Sequence, residues 1–184
     1  MYTILVSKSI MKPYYFLSGE INAITVNVLI DSMLKRTTID VQEPANFYIS
    51  STGGDLDSAI RLYDFIMASD VRLTTVGYGQ IDSAALILFL AGEIRKIEKN
   101  CRVRLHLPIY NGPQSQVLSV HLETVSLFQK LDSRYYEIIS KKLHKPFGQI
   151  QKIFTKGKIL NSREAVDFGI ATEIIEKIPI NRDP

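Results

Sequence analysis

The chain has 184 residues, 46% apolar and 22% charged, with a formal net charge of +3 and one cysteine, Cys101. That length fits one domain, 1–184, able to bury roughly 70% of its unfolded surface without a metal or disulfide staple; the lone cysteine excludes an internal disulfide and fits a reducing compartment. The positive charge is too slight for a nucleic-acid binder, the longest apolar run (84–92) falls short of a bilayer span, and the N-terminus lacks signal-peptide order, so a soluble, cytoplasmic chain with no nucleic-acid or membrane partner is expected.

No repeat, low-complexity segment or Pro/Gly-rich linker divides the chain. The aromatic-apolar run 14–17 predicts a strand that stops at Ser18-Gly19-Glu20. Residues 22–34 set Ile24, Val28, Ile30 and Met33 at helical intervals. A buried strand over 46–50 ends at Ser51-Thr52-Gly53-Gly54, and a helix follows over 55–67, with Ile60, Tyr63 and Ile66 on one side and Asp55 as its cap. A third strand over 73–77 leads to a helix over 84–92 that is too apolar for the surface. Residues 101–107 alternate apolar and basic, as a half-exposed strand does. A long helix over 117–143 runs through Val120, Val125, Phe128, Leu131, Tyr135 and Ile138 and closes before Lys145-Pro146. A last helix over 162–168 passes through Gly169 into a strand over 170–175. Strand and helix alternate through the first hundred residues, which argues for an α/β fold of βαβ units around a largely parallel sheet. The long helix has no strand partner and more apolar surface than one face buries, so it is expected to project toward a partner subunit; burial within one globule is the alternative.

Three constellations can do chemistry. Ser51-Thr52-Gly53-Gly54 lies between a strand and a helix, where glycines let backbone N–H groups point at an oxyanion. For two glycines alone, a tight turn needing positive φ is the simpler account. Ser83, in Gly79-Gln80-Ile81-Asp82-Ser83-Ala84-Ala85, enters a buried helix; on position alone it is a cap, and among small residues it can instead be a nucleophile. His106 ends the strand of Arg104-Leu105-His106-Leu107-Pro108, where a single histidine is more often structural than a base. His121 and His144 fall in and at the end of the long helix, as solvated or interface positions. No spacing of histidines or carboxylates suggests a metal, and no glycine-rich phosphate loop a nucleotide, so no cofactor is expected.

In order and spacing, these stretches resemble those of the ClpP-type serine peptidases, the proteolytic subunits of the Clp protease, within the ClpP/crotonase fold. Phe16-Leu17-Ser18-Gly19 begins the resemblance; Tyr48-Ile49-Ser50-Ser51-Thr52-Gly53-Gly54 is similar to the family's Y-I-N-S-P-G-G, and Ala59-Ile60-Arg61-Leu62-Tyr63-Asp64 to its A-x-x-I-Y-D. Gly79-Gln80-Ile81-Asp82-Ser83-Ala84-Ala85 lies on G-Q-A-A-S-M-G, Arg102-Val103-Arg104-Leu105-His106-Leu107-Pro108 on R-V-M-I-H-Q-P, and Glu164-Ala165-Val166-Asp167-Phe168-Gly169-Ile170 on E-A-x-E-Y-G-L. Together they cover residues 14–175. The resemblance implies a ClpP/crotonase-like βαβ core with a protruding helical handle over about 110–145. It also implies a serine endopeptidase acting on polypeptides inside a homo-oligomeric, heptamer-based ring, with an AAA+ unfoldase as partner. Ser83 falls on the nucleophile, His106 on the general base, and the backbone N–H groups of Gly54 and Ala84 on the oxyanion donors.

Where the family carries the third triad residue, an aspartate, this chain has Gly157, between Thr155, Lys156 and Lys158. An orienting carboxylate fixes the histidine tautomer and stabilises the imidazolium, and its neutralisation costs about 10⁴-fold in rate. Asn161, Asp167, a backbone carbonyl or a neighbouring subunit's carboxylate are the candidate substitutes. Gly157→Asp is expected to raise activity wherever the backbone accepts a side chain. Three further departures weigh against an unfoldase partner: about 13 residues precede the first strand, the paired tyrosines of Y-L-Y-I-N become Asn46 and Tyr48, and Ile109-Tyr110-Asn111-Gly112-Pro113 replaces a glycine-rich strand. Two alternatives therefore stand beside the peptidase: a catalytically silent, ClpR-like structural subunit, and a crotonase-type CoA-thioester enzyme using the backbone amides near Gly54 and Ala84.

Overall fold

A computed structural model describes residues 14–36, 44–110 and 117–179. The chain ahead of the first strand and Asn111-Gly112-Pro113, which bear two of the departures from the family pattern, lie outside them. Strands β1 (Tyr14–Ile21), β2 (Ala45–Gly54), β3 (Leu73–Asp82) and β4 (Ile94–Glu98) alternate with helices α1 (Ala23–Arg36), α2 (Leu56–Ala68) and α3 (Ala85–Leu90). Then follow β5 (Arg102–Leu105), α4 (Leu118–Leu143), α5 (Phe147–Lys156), β6 (Lys158–Leu160), α6 (Ser162–Phe168) and β7 (Glu173–Ile175). Strands β1 to β4 pair in parallel in chain order, and β7 adds in parallel on β4. This is the α/β arrangement that the alternating pattern predicts.

One departure from a plain sheet builds the site. The first half of β3, Thr74 to Gly77, pairs with β4, whereas its second half, Gln80 to Asp82, pairs with β5. Strand β5 in turn pairs antiparallel with β6. The sheet thus forks at β3, and the end of that strand is gripped by a separate pair of strands.

The local reasons are legible side chain by side chain. Asp55 caps α2 by accepting the Ser58 amide at 2.8 Å, and Ile60, Tyr63 and Ile66 are buried as their spacing predicts. Asn22 caps α1, its side-chain oxygen accepting the Ile24 and Thr25 amides at 3.0 Å. The buried face of α1 is nevertheless Val26, Leu29 and Met33, while Ile24 and Val28 are 76% and 60% exposed. The helix carries apolar residues on two faces, and only one meets the sheet. Every residue of α3 is buried, as expected of a helix that is apolar all round. Helices pack in succession, α1 on α2, α2 on α3, α3 on α4 and α4 on α5.

Several expected boundaries move. Strand β1 runs on through Ser18-Gly19-Glu20, absorbing Gly19 in a register shift against β2. Ser51-Thr52-Gly53-Gly54 is not a loop after a strand but the end of β2, with Glu20 opposite Gly53 and Ile21 opposite Gly54. Strand β3 extends to Asp82, and the last strand is confined to 173–175. Strands β4 and β6 and helix α5 are not among the elements expected from the sequence. No helix among the described residues is long and apolar enough to cross a membrane.

Helix α4 divides in two. Its C-terminal half buries Tyr135, Tyr136, Ile138, Ile139 and Leu143, while Leu118, Leu122 and Val125 are exposed in its N-terminal half. The C-terminal half is thus buried within the fold, as the alternative reading expects, while the N-terminal half leaves an apolar face exposed.

Candidate active site

Where β3 ends, Ser83 takes a backbone φ of 56°, one of two non-glycine residues with positive φ among the described residues, the other being His144. This excludes the simple cap account: cap residues sit in the extended region, and the cap position of α3 is Ala84, in helical conformation and without a side-chain cap bond. A serine so placed stands on a sharp strand-to-helix turn. Its backbone is restrained from three sides. The Ser83 amide donates to the Arg104 carbonyl of β5 (3.2 Å), the Ser83 carbonyl accepts the Leu86 amide (3.0 Å), and the same carbonyl accepts the Tyr135 hydroxyl of α4 (2.8 Å). Helix α3 spans only six residues, so the helix field that the apolar run 84–92 suggests is weak, and any anion held here relies on individual N–H groups.

A cavity of about 690 Å³ opens at this point, and Gly54, Ser83, Ala84 and His106 all line it. Gly53 lies directly beneath: a Cβ on it would stand 2.6 Å from the Ser83 Cβ and 2.7 Å from the Asp82 carbonyl. Only glycine allows that approach. The opposite wall is apolar and comes from α4 and the segment after β5, with Tyr110, Phe128, Leu131 and Tyr135. Tyr110 stacks on Phe128 with centroids 3.9 Å apart and donates its hydroxyl to Asp132 Oδ1 at 2.6 Å. Burial, and then that carboxylate, push the Tyr110 hydroxyl above its usual pKa. Burial does the same to Tyr135, which is 1% exposed, so both phenols remain protonated donors.

His106 is half-buried, and its Nδ1 lies 2.7 Å from the Leu107 carbonyl. A carbonyl only accepts, so this contact assigns a proton to Nδ1, and in the neutral imidazole Nε2 is then the free acceptor. Among the described residues no carboxylate hydrogen-bonds His106, and no hydrogen bond joins it to Ser83. Strands β5 and β6 pair Leu105 with Lys158; continuing that antiparallel register by one residue sets Gly157 across from His106. Asn161 is engaged elsewhere, capping α6 by accepting the Glu164 amide at 2.9 Å, while Asp167 is exposed on α6. Neither lines the cavity.

Two side chains beside Ser83 carry no sequence signal of their kind. The Tyr135 hydroxyl reads in the sequence as one more apolar position of a long helix. Asp82 is 5% exposed, with Oδ2 3.7 Å from Arg102 and Oδ1 without a partner among the described residues. Cys101, nearby and 1% exposed, has its thiol pushed up to about 12, by burial first and then by Glu98 and Asp82, which leaves it protonated and unreactive at neutral pH. Among the described residues no group of three His, Cys, Asp or Glu side chains could hold a metal ion.

Known proteins with related sequences share this arrangement of elements. The family model for Clp protease matches residues 2–178. The chain is 28% identical over 163 residues to ATP-dependent Clp protease proteolytic subunit 1 of Rhodococcus jostii, covering 88% of this chain and 74% of that one. To proteolytic subunit 2 of Borreliella burgdorferi it is 28% identical over 175 residues, covering 94% and 85%. A solved point mutant of ClpP1 from Listeria monocytogenes matches with a TM-score of 0.80 at 25% identity, over 90% of this chain and 92% of that one.

Proposed function

We propose that this chain, which belongs to the Clp protease family, is a serine endopeptidase that uses Ser83 and His106 without a triad aspartate. The carrying observation is Ser83 itself: a serine at positive φ, on a strand-to-helix turn, sharing one cavity with His106, Gly54 and Ala84. In this reading Nε2 of His106 takes the Ser83 proton, Oγ attacks a peptide carbonyl, and the backbone N–H groups of Gly54 and Ala84 hold the developing oxyanion. His106 then returns the proton to the leaving amine, and water hydrolyses the acyl-enzyme by the same steps in reverse order.

The Leu107 carbonyl takes the orienting part of the absent carboxylate. It fixes the Nδ1–H tautomer, but a neutral acceptor stabilises an imidazolium less than a carboxylate does. Turnover below that of a complete triad follows, by as much as about 10⁴-fold. Substrates are polypeptides, and the working form is a homo-oligomeric ring, heptamer-based by family resemblance. For an AAA+ partner the support is thinner: Tyr48, one of the two docking-pocket positions, donates its hydroxyl to the Pro179 carbonyl and accepts the Asn46 amide at 3.2 Å.

A fluorophosphonate that labels Ser83, with labelling and peptide cleavage abolished in Ser83→Ala and nearly so in His106→Ala, is the expected result. Labelling that persists in Ser83→Ala would remove Ser83 from the mechanism. Gly157 favours a second reading, a catalytically silent ClpR-like subunit; an oligomeric protein with no labelling and no cleavage would establish it.

A further inference from the structure

We propose that Tyr135 is a positioning residue for the nucleophile: its hydroxyl, carried on α4, holds the Ser83 carbonyl and with it the left-handed backbone that aims Oγ into the cavity. The inference rests on the reading of Ser83 as nucleophile. A non-glycine residue at positive φ persists only where its surroundings over-determine it. At Ser83 two of the restraints are backbone bonds, to Arg104 and Leu86, which any residue at position 83 would make. The Tyr135 hydroxyl, 2.8 Å from the Ser83 carbonyl, is the one side-chain hydrogen bond to Ser83 among the described residues. It reaches across 52 positions of sequence, from a different layer of the fold.

The tyrosine is built to stay where it is. Its ring meets Phe154 edge-on and Tyr136 at a tilt, each with centroids 5.6 Å apart, and burial keeps the hydroxyl protonated. The neighbouring Tyr136 provides a contrast, because its buried hydroxyl has no partner among the described residues. Of these two adjacent buried tyrosines, only Tyr135 bonds the nucleophile's backbone.

The test is the rate of fluorophosphonate labelling at Ser83, with kcat and KM on a fluorogenic peptide, at a temperature where all proteins are fully folded and oligomeric. Tyr135→Phe should lower the labelling rate and kcat about three- to ten-fold, the factor carried by one ordinary hydrogen bond, with KM unchanged. Tyr136→Phe should match the parent, and para-aminophenylalanine at position 135, which restores a donor, should recover the rate. Equal rates in Tyr135→Phe and the parent would overturn this inference alone, as would equal losses in Tyr135→Phe and Tyr136→Phe. A parent protein unlabelled at Ser83 would overturn it together with the peptidase reading.

Discussion

Gly157 holds φ 69° and ψ 140° at the position where the family pattern has a carboxylate. A Cβ there has room, its nearest neighbour being the Leu105 carbonyl at 3.9 Å, so the obstacle to a side chain is torsional rather than steric. That backbone region is held cheaply only by glycine, and another residue costs about 1–3 kcal/mol in it. The condition on which Gly157→Asp would raise activity is therefore not met. We expect Gly157→Asp to lower the thermal midpoint by about 2–12 °C, at about 2–4 °C per kcal/mol for a chain of this size, with no gain in turnover. Differential scanning fluorimetry and a fluorogenic peptide check both. A rise in turnover of about tenfold or more at an unchanged midpoint would mean that the backbone relaxes and the missing carboxylate alone limits His106.

At the scale of elements, what the sequence discloses depends on whether a residue's partner is near it in the chain. Asp55 and Ser58 are three apart, and α2 is legible down to its cap. Strand β4 is not, because Arg95 and Lys96 break its apolar pattern and find partners far away. Arg95 donates to the Ile170 carbonyl at 2.7 Å, and Lys96 pairs with Glu173 at 3.0 Å. Helix α5 does carry an apolar stripe, Phe147, Ile150, Ile153 and Phe154, but it spans only ten residues and starts at Pro146 without a side-chain cap, so no start signal marks it. In α6 the capping box is local and complete, with Asn161 and Glu164 each accepting the other's amide at 2.9 Å. Asn161→Ala should cost about 1 kcal/mol in urea unfolding, the usual value of such a cap, while leaving the Ser83 labelling rate unchanged. A marked loss of labelling in the folded variant would return Asn161 to the candidates for orienting His106.

For the whole molecule, the exposed half of α4 sets the question of assembly. Leu118, Leu122 and Val125 share one helical face and are all more than half exposed, and apolar faces of that kind mark interfaces. Sedimentation velocity should give a mass several times the 20.8 kDa of one chain. Leu122→Glu combined with Val125→Glu should shift the protein toward smaller species, because a second copy cannot bury those charges unpaired. A parent protein that sediments as a stable monomer at micromolar concentration would exclude the ring.

By itself the sequence determined the alternation of strands and helices and the parallel sheet, because periodicity, caps and glycine-rich stretches act over a few residues of chain. Residues 83, 106, 54 and 84, which line one cavity, are singled out by resemblance to the family, since on position alone Ser83 reads as a cap and His106 as a structural residue. Tertiary structure alone decided the forking of β3, which of two apolar faces α1 buries, and the positive φ of Ser83. It also decided the acceptor on His106: Leu107 is adjacent in sequence, yet the carbonyl's approach depends on how the chain leaves β5. The Tyr135 hydroxyl is the clearest case. In the sequence it is an apolar position of a long helix, and only the packing of α4 against the end of β3 gives it a partner.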